Sequence, residues 1–167
     1  MRIVCVTHAY PRFEGDVAGA FIEHLALALA RRGHTVAVVA PADPGKGGRE
    51  IRHGIVIERV RYAPAARETL AYRGTMLRGA RSPAGLLAFA ALVVQLARAA
   101  GRLARSLPAD LVHAHWWIPA GLSAWLLRLG GASPPYAVTL HGTDIALLES
   151  SRLGRTLGWS GGATRRI

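Results

Sequence analysis

The stretch "VTLHGTDI", residues 138–145, sets an imidazole, a glycine, a hydroxyl and a carboxylate side by side where an apolar run ends. His141 can hydrogen-bond a hydroxyl or exchange a proton near neutral pH. Gly142 permits close backbone approach. Thr143 or Asp144 can cap a following helix and leave its first amides facing outward, and capping is the simpler role for Asp144. In "LVHAH", His113 and His115 are two apart, hence on one face of a strand, a geometry that serves two metal ligands or two hydrogen-bonded packing residues. No carboxylate or cysteine is expected nearby, which argues against a metal centre. In "VTHAYPRFEGDVAGAF", His8 follows an apolar run, as a strand cap bonded to a loop carbonyl or as a crevice residue. Gly15 and Gly19 lie between that run and a helical pattern, where backbone N–H groups can meet a phosphate or a sugar hydroxyl. The spacing is not G-x-G-x-x-G and the next strand ends in Ala40-Pro41, so a dinucleotide fingerprint is absent.

These residues need elements that bring them together. Residues 2–7 form an apolar run with β-branched residues and no polar alternation, as a strand covered on both faces requires. From about 17 to 32, Phe21, Ile22, Leu25 and Leu29 recur at helical spacing, and Gly33 sits just past the end. "HTVAVVAP" is a second buried strand, completing a βαβ unit. Residues 50–61 alternate and turn at Gly54, predicting one or two strands, as in a short hairpin. Residues 65–82 are ambiguous because Gly74 and Gly79 interrupt them. A long helix is predicted from Pro83 to Ser106, then a strand at 110–114, a helix from 119 to 129 and a strand at 136–140. The order predicts an α/β, doubly wound, mostly parallel sheet, with ligands in the crevice beyond the carboxyl ends of its strands. His8, His113, His115 and His141 all sit at such ends, so four of the seven histidines converge on one edge.

A chain of 167 residues, 51% hydrophobic, suits one globular domain. Its formal net charge of +11 is carried almost wholly by arginine, Lys46 being the only lysine. A coding bias accounts for this, or an anionic partner such as a membrane surface. Nucleic acid is disfavoured, because the arginines are scattered and no zinc-finger or RRM-like spacing is present. Cys5, alone and inside an apolar run, reads as a small core residue and excludes a disulfide framework, which suits a reducing cytoplasm. The first eleven residues turn polar too quickly for a signal peptide. The longest apolar stretch, 84–97, is roughly 14 residues against the ~20 that span a bilayer, so it reads as a helix packed on a sheet or an amphipathic helix at an interface.

Taken in order, "RIVCVTHAYPRFEGDVAGAFIEHLALALARRGHTVAVVAP", "DLVHAHWWIPAGLSAWLL" and "YAVTLHGTDI" resemble the amino-terminal half of a GT-B glycosyltransferase of the retaining, family 4-like group. The resemblance implies a Rossmann-like acceptor-side domain facing a second domain that holds a nucleotide-sugar donor, with that second domain and the end of the first missing from residues 1–167. It implies that His141 lies beside the transferred sugar as the catalytic histidine. Gly15 and Gly19 would approach donor phosphate or acceptor, His113 and His115 would line the acceptor side, and His8, Gly142, Thr143 and Asp144 would complete the substrate surface. "EGDVAG" replaces the family's usual Gly-Gly pair. The expected acceptor is a glycan or a lipid-linked sugar, with no cofactor, no metal, no nucleic acid, and a cytoplasmic location extending to peripheral contact with the inner face of the membrane. The competing reading is a non-catalytic carbohydrate- or nucleotide-binding module on the same fold.

Overall fold

Along Arg2–Val6 (β1) the side chains alternate between two apolar layers, and both layers are filled: Val4 and Val6 enter one core, Ile3 and Cys5 the other. Thr35–Pro41 (β2) does the same, with Ala37 and Val39 on one side and Val36, Val38 and Ala40 on the other. Burial on both faces is what a parallel strand between helices requires. In this computed structural model, which describes residues 1–74, 76–131, 134–142 and 144, four further strands complete the sheet: Gly48–Arg52 (β3), Ile55–Val60 (β4), Leu111–His115 (β5) and Tyr136–Thr139 (β6). Their order is β3-β4-β2-β1-β5-β6, and only the β3–β4 hairpin is antiparallel. The chain order reverses between β1 and β5, so the sheet's switch point, where open α/β sheets bind ligands, lies at the carboxyl ends of these two strands.

One layer is built by Ala20–Arg31 (α1), which buries Ile22 and Ala26. The expected start near residue 17 moves to Ala20 for a local reason. The Asp16 carboxylate takes the Ala18 N–H at 3.1 Å, and Gly19 adopts φ 74°, so helical backbone cannot begin earlier. Phe21, expected on the core-facing stripe, is 48% exposed. The opposite layer holds Met76–Gly79 (α2), Pro83–Ser106 (α3) and Leu122–Leu129 (α4). Ser82 caps α3 by accepting the Gly85 N–H, and Pro83 occupies its first turn, as its sequence predicts. By length and composition α3 could cross a membrane, at a mean hydropathy of 1.7. From Leu92 onward it instead buries Leu92, Leu96, Ala99, Ala100 and Leu103 against the sheet, while Leu86 and Leu87 near its start are exposed.

The ambiguous segment is held by one buried acid. Glu68, 2% exposed, accepts the Gly45 N–H at 2.8 Å and the Tyr62 N–H and the Arg61 guanidinium at 3.2 Å each. After β5, the expected helix start at Pro119 is a π-turn over Trp117–Gly121 that leads into α4. The strand expected at 136–140 forms as β6, but as an edge that pairs only with β5 among the described residues, which leaves Tyr136 and Leu140 about two-fifths exposed instead of buried (37% and 43%).

Candidate functional site

Three strand ends build the site. His8 follows β1, His113 and His115 end β5, and His141 lies two residues beyond β6. The last three and Trp116 form a continuous ring array: His113 and His115 centroids are 4.3 Å apart, His115 and His141 stack at 5.7 Å, and Trp116 lies 4.5 Å from His141 and 4.2 Å from His8. The expectation that His8, His115 and His141 share one edge of the sheet is met. Trp116 makes this possible. Its φ of 66° is rare for a residue with a large side chain, and its N–H is held by the Thr139 carbonyl at 3.0 Å, so the chain reverses immediately after β5 with the indole among the histidines. Phe21, in the first turn of α1, closes one side of the array at 4.9 Å from His141 and 5.5 Å from Trp116. Periodicity alone assigned Phe21 to the core, and nothing in the sequence marks it as a site residue.

The "HGTD" turn is tied by Asp144. Its carboxylate, 5% exposed, accepts the His141 N–H at 3.1 Å and a second N–H from Trp117, while its own N–H returns to the His141 carbonyl at 2.9 Å. Burial raises its pKa, partly offset by these amides and the nearby imidazole. Gly142 is exposed. Thr143 lies outside the described residues. Gly15 stands exposed in the β1–α1 loop with no heavy atom near a built Cβ, whereas at Gly19 a Cβ would collide with the Ala9 carbonyl, next to His8.

All four imidazoles are held neutral at pH 7. Burial lowers His8 to about 4 and His115 to about 3, each pushed further by a neighbouring histidine. His113 and His141 are lowered for the same first reason, with Asp144 opposing the shift at His141. Four buried ring nitrogens have no hydrogen-bond partner among the described residues: Nδ1 of His8, both nitrogens of His115, and Nε2 of His141. Buried polar atoms left this way ask for a ligand or water, and neutral imidazoles suit hydroxyl groups. The sequence argument that the His113/His115 motif has no cysteine beside it is corrected by the register: β1 and β5 pair Cys5 with His113.

The β1–α1 loop is fixed by arginines that sequence reasoning missed, because they arrive from the hairpin. Arg59, 8% exposed, donates to the Tyr10 and Pro11 carbonyls and the Tyr72 hydroxyl. Arg52 adds bonds to the Pro11 and Arg12 carbonyls at 3.0 and 3.3 Å. Within the loop, Arg12 and Asp16 pair at 2.7 Å. Beside them opens a cleft of about 280 Å³ lined by Arg12, Phe13, Asp43, Lys46, Arg49 and Glu50 among others. The lining is mixed in charge, with cations in excess.

Comparison with known proteins agrees with this architecture. The chain resembles sucrose-phosphate synthase from Thermosynechococcus elongatus at a TM-score of 0.60, with 16% identity over 93% of this chain and 37% of that one. It resembles the catalytic domain of starch synthase IV from Arabidopsis thaliana, a structure bound to ADP and acarbose, at 0.51, with 16% identity over 84% of this chain and 34% of that one. Both are GT-B glycosyltransferases, and the chain spans little more than a third of their lengths. At this identity the likeness establishes the fold. No curated protein matches the chain significantly in sequence. Residues 18–166 match the family model for the glycosyl transferase 4-like domain. Nearly nine-tenths of the chain lies within that match, so the protein belongs to the glycosyl transferase 4-like domain family.

Proposed function

We propose that this chain is the acceptor-side domain of a retaining glycosyltransferase, which moves a sugar from a nucleotide-sugar donor, gripped by a further domain, to a glycan or lipid-linked acceptor. The observation that carries the reading is the convergence of unpartnered nitrogens from His8, His115 and His141 on the switch-point crevice. In transfer with retention, positive charge develops on the sugar ring while a nucleoside diphosphate leaves with negative charge. A cationic side chain at the ring would oppose that charge. The neutral His141 instead offers Nε2 to a sugar hydroxyl, and Asp144 fixes its backbone from below. His8 and His115 have unfilled positions for acceptor hydroxyls, and Trp116 and Phe21 supply apolar faces against which a sugar ring can pack. None of these steps requires a metal from this domain.

A cytoplasmic site of action, extending to the inner membrane surface, is consistent with the +11 charge and with the exposed Leu86 and Leu87 on α3. The test is to assay the chain joined to its donor domain for nucleoside diphosphate release over a panel of nucleotide sugars and acceptors, with the anomeric configuration of the product read by NMR. Retention with release supports the reading. Saturable sugar or nucleotide binding with no release under any pairing would make the protein a binding module.

A further inference from the structure

Cys5 and His113 are paired in register on neighbouring parallel strands, so both side chains leave the sheet on the same face, and His115 follows two residues along. The thiol sulfur and one ring nitrogen from each histidine lie within 4.8 Å of one another. Cys5 and His115 are each 1% exposed. Neither nitrogen of His115 has a partner among the described residues, which is unusual for an imidazole this deeply buried. His113 has its Nε2 2.7 Å from the Thr139 hydroxyl, which leaves Nδ1 available. A histidine that ligates a metal through one nitrogen and gives its other N–H to an oxygen is the usual arrangement around bound metals.

We propose that Cys5, His113 and His115 form a three-ligand site for a zinc-class divalent transition metal that clamps β1 to β5 beneath the histidine crevice. One thiolate and two imidazoles suit zinc and its borderline neighbours rather than magnesium or calcium. Tetrahedral zinc, with bonds of about 2.3 Å to sulfur and about 2.1 Å to nitrogen, holds its donors about 3.4–3.6 Å apart, so rotations about the side-chain bonds close the present separations. Binding displaces the thiol proton: the S–H bond breaks, sulfur keeps the electron pair and bonds the metal, and one proton passes to buffer for each ion taken up. Without metal, burial holds the thiol protonated, and the two imidazoles are neutral and ready to donate. A fourth coordination position remains for water. The site shares His115 with the transfer reading, the metal taking one ring nitrogen and leaving the other for an acceptor hydroxyl, and it is tested separately, because metal uptake is read without any transfer assay.

The test uses the chain itself, stripped with chelator under reducing conditions and titrated with zinc in a calorimeter and with cobalt(II) in an absorption cell. The expected result is one equivalent bound below micromolar dissociation constant, one proton released, a thiolate-to-cobalt charge-transfer band, and a higher melting temperature with zinc. Cys5→Ser should abolish the band, and His113→Gln should weaken binding at least tenfold. A variant lacking the remote histidines, with His24, His34 and His53 all changed to Gln, should bind as the parent does. Should Cys5→Ser fail to fold, the half-buried His113→Gln and the remote triple variant decide the matter through stoichiometry and affinity. Absence of tight uptake by the parent, or uptake lost only in the triple variant, overturns the proposal.

Discussion

Replacing Gly19 by Ala adds one methyl group at a position where two separate penalties fall due. The backbone stands at φ 74°, where an L-residue costs roughly 1–2 kcal/mol. The new Cβ would also collide with the Ala9 carbonyl and lie 2.9 Å from the Tyr10 nitrogen, both backbone atoms with no rotamer to yield. Overpacking of this kind costs typically ~1–3 kcal/mol. The sum is about 2–5 kcal/mol, and at ~2–4 °C per kcal/mol for a domain of this size the midpoint should fall by roughly 4–20 °C. Gly15 supplies the control, since it has φ 83° in the same loop but nothing within 4 Å of a built Cβ. Gly15→Ala should therefore show the conformational penalty alone, about 1 kcal/mol after the entropy lost by the unfolded chain is counted. Urea denaturation followed by circular dichroism gives both values, provided the dependence on denaturant is unchanged. Equal costs for the two variants would refute the close approach of Gly19 to Ala9, and with it the geometry that sets His8 in place.

On the proposed function, His141→Ala in a protein that joins this chain to a donor domain should lower turnover by roughly 30- to 1,000-fold, equivalent to ~2–4 kcal/mol, with the melting temperature nearly unchanged; an unaltered turnover per folded molecule would sink the catalytic role. His8, held at about 4 by burial, binds fewer protons folded than unfolded between that value and 6.5, so stability should rise with pH across this window, and His8→Gln should flatten the slope measured by denaturation at several pH values. The Arg12 guanidinium and two backbone amides hold Asp16 well below the ordinary carboxylate range, so it contributes stability above pH ~4 that disappears as pH falls further. Asp16→Asn should cost about 1–3 kcal/mol at neutral pH and little in acid, and a variant equally destabilised at both would contradict the ion-pair account.

Runs of buried strand made much of this fold readable in advance. β1, β2 and β5 emerge within a residue or so of their apolar segments because both of their faces are covered, and α3 begins where Ser82 and Pro83 say it must. The four crevice histidines were readable for the same reason, since strand ends in such sheets face one edge. What local pattern did not contain is which strand neighbours which. The β2-β1-β5 order alone brings Cys5 beside His113, across more than a hundred residues of chain. Phe21 was hidden because a helical stripe looks identical whether it faces a core or a cleft. Arg52 and Arg59 were hidden because an arginine in a hairpin carries no mark of the carbonyl it will meet.

Those two arginines join pieces of chain that are remote in sequence. Because the Tyr10, Pro11 and Arg12 carbonyls are held by guanidinium groups from β3 and β4, the first loop cannot loosen without breaking bonds to the hairpin. In hydrogen-exchange terms the two should open as one cooperative unit, with loop amides near Tyr10 exchanging at the pace of the hairpin rather than at that of an ordinary surface loop. Damage to the hairpin would then be felt first at Tyr10, Pro11 and Arg12, and through them at His8, two residues before Tyr10.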